Sequence, residues 1–164
     1  RELAESKRRK VYLPSGAIVG LDNIKSAAIG RIEEVVLTTR KPPPSFAGAP
    51  LVESKKIDLS SLKEPLLLFE GSAREAVKIF PQNVNVSATL SLAGIGPDRT
   101  KVRIITDPAI KEITHEIHVK GEFGEIHTKT TNMPFPTNPR TSYIAALSAI
   151  ATLKKIGESV IVGT

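Results

Sequence analysis

Ile113-Thr-His-Glu-Ile-His-Val-Lys120, Gly121-Glu-Phe-Gly124 and Glu125-Ile-His-Thr-Lys-Thr-Thr131 form the stretch that decides the fold class. Residues 113–120 alternate apolar and polar with a period of two, as a strand with one buried face requires. Two glycines bracket a tight turn, and residues 125–131 return as a second β-rich run, so the stretch predicts an antiparallel hairpin. His115 then shares a face with Ile117 and Val119, while His118 lies on the opposite face with Thr114 and Glu116.

Working outward, Val102 to Thr106 predicts another strand, and Ile32 to Arg40 a further one that runs into Lys41-Pro42-Pro43-Pro44. Residues 42–64, rich in Pro, Ser and Lys, predict a long loop or lid-like excursion. Ser72-Ala-Arg-Glu75 has the spacing of a capping box, so a helix is expected over 73–80, stopping at Pro81. Asp22 is the expected N-cap of a short helix over 23–29, closed by Gly30. Asn83 to Ala93 fits a strand and a helical face equally well. Asn138-Pro139 predicts the start of the strongest helix, with Tyr143, Ile144, Leu147, Ile150 and Ala151 on one apolar stripe and Gly157 at its end. Residues 1–10 read as the tail of a helix, and short strands are expected at 10–14 and 159–162. The sum is an α+β fold: an open mixed, mostly antiparallel sheet with helices on one face.

The 164 residues contain no Cys and no Trp, which excludes a disulfide framework, a cysteine nucleophile and a Cys-based zinc finger. The longest apolar run, from Tyr143 to Leu153, is interrupted by Ser148 and Thr152 and is too short to span a membrane. A cytoplasmic protein is therefore expected. The chain carries 23 Lys and Arg against 17 Asp and Glu. Apart from Lys7, Arg8, Arg9 and Lys10 these cations are dispersed. With five Phe and two Tyr, no basic and aromatic residues interleave as in single-strand binders, so no nucleic-acid partner is expected. Residue 1 is Arg, and the chain reads as part of a longer polypeptide.

All three histidines, 115, 118 and 127, fall in the hairpin. His115 and His118 point to opposite faces and cannot share a metal. His118 and His127 can meet across the strands, but with no carboxylate or Cys partner apparent, no metal site is expected. His115 has two readings: a half-buried core histidine with a satisfied ring, or a general acid/base whose imidazole titrates near neutrality. Neither glycine-rich phosphate motif occurs, and Gly94-Ile-Gly96 is a turn. Ser15-Gly16-Ala17 is a tight turn that lets backbone approach a flat ligand.

Seven segments occur in a recognisable order. They are Tyr12-Leu-Pro-Ser-Gly-Ala-Ile-Val-Gly-Leu-Asp22, Leu37-Thr-Thr-Arg-Lys-Pro-Pro43, Phe69-Glu-Gly-Ser-Ala-Arg-Glu-Ala76, Phe80-Pro-Gln-Asn-Val-Asn-Val86, His115-Glu-Ile, Lys129-Thr-Thr-Asn-Met-Pro134 and Asn138-Pro-Arg-Thr-Ser-Tyr-Ile-Ala-Ala146. Together they resemble the L-aspartate dehydrogenase family over essentially the whole chain.

The resemblance implies NAD(P)-dependent oxidation of L-aspartate to iminoaspartate, which hydrolyses to oxaloacetate and ammonia and feeds NAD biosynthesis. It also implies an absent N-terminal Rossmann portion, without which this chain is expected to be inactive. Residues 1–22 and 138–164 would belong to or pack on that portion. Residues 23–137 would form the catalytic domain, which in such enzymes also builds a homodimer, and residues 84–93 would be helical. His115 matches the family's catalytic histidine. Ala17 matches a cofactor contact, as does Asn85, with Asn83 the alternative in that motif. Arg40, Lys41 and Lys129 are candidates for holding the substrate carboxylates, or are solvated surface cations. The alternatives in activity are a related two-domain dehydrogenase for another small acidic substrate, and a non-enzymatic dimerisation or ligand-binding module. The choice of NAD or NADP stays open, because the residue that makes it lies outside the chain.

Overall fold

The computed structural model of the chain describes residues 2–81 and 85–163, apart from the side chains of residues 139 and 140. A five-stranded mixed sheet is its spine, built from β1 (Ile32–Lys41), β2 (Leu66–Ser72), β3 (Thr100–Thr106), β4 (Ile113–Gly121) and β5 (Gly124–Asn132) in the order β2-β3-β1-β4-β5. Only β1 and β3 run parallel; the other three pairings are antiparallel. The predicted hairpin is present, with Gly121 opposite Gly124 and Glu122-Phe123 at its tip. A side chain at Gly121 would collide with the Arg31 carbonyl, so glycine is required for this close approach.

Alternation separates the two faces of the sheet. Val35, Leu37, Val102, Ile104, Ile117 and Val119 are all buried in the core. Against that face pack α2 (Leu21–Ala27), α4 (Ala73–Ile79) and α5 (Asn85–Ala93). Phe80 closes the core with edge-on contacts to Phe46 and Phe69, at centroid separations of 6.1 and 6.2 Å. The opposite face is polar and carries the ion pairs Lys101–Glu34, Arg103–Glu70 and Lys129–Glu116.

The capping box is formed as expected: Ser72 Oγ accepts from the Glu75 amide, and the Ser72 amide donates to Glu75 Oε2 at 2.8 Å. Ser72→Ala should therefore destabilise the protein by about 1 kcal/mol. A urea midpoint unchanged from the parent would remove this role. The ambiguous stretch is helical over 85–93, burying Val86, Ser87, Leu90 and Ser91 at helical spacing. Asn83 lies outside the described residues.

Four expectations require correction. Asp22 is not the N-cap of α2: Gly20, at φ 81°, caps the helix two residues earlier, and Asp22 sits in the first turn. Asn138 does not open a helix either. Residues Asn138–Ser142 form β7, which pairs with β6 (Pro134–Phe135), and the Tyr143 amide donates to Met133 O at 2.9 Å. Tertiary pairing overrides the local Asn-Pro signal, and the last helix, α6, runs from Tyr143 to Lys155.

Residues 42–64 are not a lid. They contain a 3-10 turn at Pro43–Phe46 and the helix α3 (Pro50–Ser54), and they insert Phe46, Ala49 and Val52 into the core. Segments 10–14 and 159–162 form no strand, since backbone donors and acceptors in a strand need a neighbour to pair with. Strand β2 gave no sequence signal because a register shift between Leu67 and Phe69 interrupts its alternation. The remaining helix, α1 (Glu2–Ser6), buries nothing. No helix among the described residues is long and apolar enough to cross a membrane.

Candidate active site

Strand alternation brings His115 and Lys41 to one place. In β1, residues 35, 37, 39 and 41 face the helices, so the inward row changes from Val and Leu to Thr39 and Lys41 at the end of the strand. His115 is opposite Thr39 on one side and Thr130 of β5 on the other. Its Nδ1 lies 2.9 Å from Thr39 Oγ1. This contact commits one ring nitrogen and leaves Nε2 for the cleft that His115 lines.

That cleft, of about 270 Å³, is lined by Gly16, Ala17, Lys41, Asn85 and His115, with Ser142 at the start of α6. Three sequence-predicted residues, His115, Ala17 and Asn85, thus meet around one opening. Of the three candidate cations, Lys41 alone joins them. Arg40 points to the other side of β1 and pairs with Asp107 at 3.0 Å. Lys129 pairs with Glu116 on the far face of the sheet.

The turn carrying Ala17 is clamped from two elements. The Ala17 carbonyl accepts from Thr130 Oγ1 at 2.8 Å and from Asn132 Nδ2 at 3.2 Å, and the Gly16 amide donates to Ser148 Oγ of α6 at 3.1 Å. Gly16 has φ 66°, a conformation that glycine adopts without strain. Thr39, Thr130, Asn132 and Ser148 escape sequence reading. The available signal was the inward row of β1, where two polar residues succeed apolar ones.

Burial shapes the electrostatics. His115 is 3% exposed. Burial, followed by the charge of Lys41, pushes its imidazole down to about 3. Burial also pushes the Lys41 ammonium down to about 8. At neutral pH the cleft therefore presents a neutral imidazole beside a cation, an arrangement suited to an anionic ligand.

This has a consequence for stability. The unfolded chain protonates a histidine near pH 6.5, whereas the folded chain resists until about 3. The contribution of His115 is thus complete above pH 6.5 and is lost as pH falls toward 3, amounting to roughly 2 kcal/mol at pH 5. His115→Asn should flatten the fall in urea midpoint between pH 6.5 and 5, with the carboxylates common to both proteins. Parallel profiles for parent and variant would show that the imidazole is not buried.

Residues 22–156 match the family model described as "Aspartate dehydrogenase, C-terminal". The chain is 58% identical over 162 residues to L-aspartate dehydrogenase of Methanosarcina barkeri, covering 99% of this chain and 60% of that protein. It is 45% identical over 163 residues to the L-aspartate dehydrogenase of Bradyrhizobium diazoefficiens, covering 99% of this chain and 58% of that one. The crystal structure of aspartate dehydrogenase from Thermotoga maritima superposes with a TM-score of 0.75 at 32% identity, over 98% of this chain and 60% of that chain. The chain thus spans about three-fifths of these relatives. It belongs to the aspartate dehydrogenase C-terminal family.

Proposed function

We propose that the intact protein is an L-aspartate dehydrogenase and that this chain carries its substrate site, with His115 as the acid/base. The observation that supports this most directly is the neutral imidazole and buried ammonium sharing one cleft. Oxidation removes a hydride from Cα and a proton from the amine. His115 Nε2 accepts the ammonium proton, which frees the nitrogen lone pair to form the C=N bond of iminoaspartate as the hydride leaves. Thr39 Oγ1 accepts from Nδ1–H and holds the tautomer in which Nε2 is the base. Lys41 holds a substrate carboxylate by a charge-assisted hydrogen bond. Hydrolysis of iminoaspartate would give oxaloacetate and ammonia, and iminoaspartate itself would serve NAD biosynthesis.

The residues present fit the ring end of NAD or NADP. The Gly16–Ala17 turn offers bare backbone to a flat ring, and Asn85 offers an amide at the rim. They do not fit its phosphates, since no glycine-rich cradle occurs. When bound, the nicotinamide accepts the hydride. A nucleotide-binding portion elsewhere in the intact protein completes the site in this proposal. The support is α6, which buries none of its residues and exposes Tyr143, Ile144, Leu147, Ile150 and Leu153. Residues 1–22 and 138–164 pack with that portion in this reading, and 23–137 form the catalytic domain of a homodimer. The chain alone would then be inactive.

The test is reduction of NAD or NADP by the intact protein supplied with a panel of amino acids. L-Aspartate should be the preferred substrate. Preference for another acid would replace it by the related dehydrogenase, and the absence of any reduction would leave a ligand-binding module.

A further inference from the structure

On the sheet face away from the cleft, the hairpin presents a second group of chemically active side chains. His118 and His127 are directly opposite each other on β4 and β5, and their rings stack at 4.1 Å with an interplanar angle of 14°. Glu125, two residues before His127, shares the latter's face. Its Oε2 lies 3.3 Å from His127 Nε2 and 3.6 Å from His118 Nε2. Among the described residues this is the one group of three whose ligand atoms all fall within 4.8 Å of one another.

Two features distinguish it from a surface ion pair. His118 Nε2 is sealed from solvent yet has no hydrogen-bond partner. A buried polar atom of that kind is uncommon and calls for something to satisfy it. Two of the three ligand separations also approach those of a coordinated ion. Ligands about 2.0–2.1 Å from a tetrahedral zinc ion stand roughly 3.3 Å apart, close to both carboxylate–imidazole separations.

We propose that His118, Glu125 and His127 bind one divalent transition-metal ion, with Zn²⁺ the fitting species. Two imidazoles and one carboxylate supply three ligands, and a fourth position stays open to water. Such a set disfavours Mg²⁺ and Ca²⁺, which prefer oxygen ligands. The ion ties β4 to the edge strand β5 on the face opposite His115. This site does not depend on the dehydrogenase reading.

The experiment is titration of the metal-free intact protein with Zn²⁺ against a chromophoric chelator. One equivalent per chain is expected. His127→Gln and Glu125→Gln should each weaken binding by roughly tenfold or more, while Lys129→Ala should leave it unchanged. Co²⁺ in place of Zn²⁺ should give visible absorption bands that His127→Gln abolishes. Affinity should fall on acidification, because protons compete with the ion for the ligand atoms. Dehydrogenase activity of His127→Gln should match the parent. No stoichiometric binding, or binding that survives His127→Gln and Glu125→Gln together, overturns the site whatever the catalytic activity proves to be.

Discussion

Replacing His115 by Asn in the intact protein should lower kcat for L-aspartate oxidation by about 10²–10⁴-fold, the usual contribution of a positioned base, and leave KM nearly unchanged. Asn preserves an uncharged polar side chain that can still bond Thr39 Oγ1, so the sheet around it should survive. What it lacks is a nitrogen lone pair able to accept the ammonium proton. Lys41 remains in place to hold the carboxylate, which is why the effect should fall on kcat. The parent should also lose kcat on the acid side as His115 becomes protonated in the substrate complex, and that limb should vanish in the variant. A kcat within fivefold of the parent would refute the assignment of His115 as base.

Lys41→Met should separate binding from stability. A cation whose protonation falls from an ordinary value of 10.5 to about 8 on folding is held at a cost. That cost is roughly 3 kcal/mol at pH 7, where the ammonium is charged in both states. It disappears above the unfolded value, so stability should rise between pH 8 and 10.5 in the parent and not in the variant. Methionine of similar length fills the space without a charge. We expect a thermal midpoint several degrees higher together with a KM for L-aspartate raised roughly 10²-fold, as when one partner of a buried ion contact is removed. The parent should bind aspartate more weakly as pH rises through 8, and Lys41→Met should lack that dependence. A variant with lower stability and an unaltered KM would show Lys41 to be a structural residue.

The strand period alone was enough to place His115 on the inward face, because Ile117 and Val119 beside it leave no ambiguity of side. The same period assigns Lys41 to the cleft and Arg40 away from it, yet choosing between adjacent cations needs the end of β1 to be known, and Pro42 conceals where that end lies. Lys129 shows the complementary difficulty. It stands one residue before Thr130, which grips the Ala17 turn, but on a strand that single step reverses the face. Ala17 and Asn85 came from resemblance to a family; no periodicity joins residues so far apart in the chain. Glu125 shares the face of His127 by the strand period alone; what the sequence leaves open is the hairpin register, which sets His118 opposite His127 and so brings all three side chains together. The helix expected at Asn138 failed for a related reason. Local capping chemistry was sound, but residues 138–142 had a competing partner in Pro134–Phe135, which only tertiary structure reveals.

The carbonyl of Ala17 takes two hydrogen bonds from β5, while the neighbouring Gly16 amide is tied to α6. The position of this loop is consequently written into Thr130, Asn132 and Ser148, more than a hundred residues downstream. An engineer seeking to reshape the cleft beside the imidazole could leave the loop untouched and edit its distant anchors instead, shifting it as a block by a fraction of an ångström.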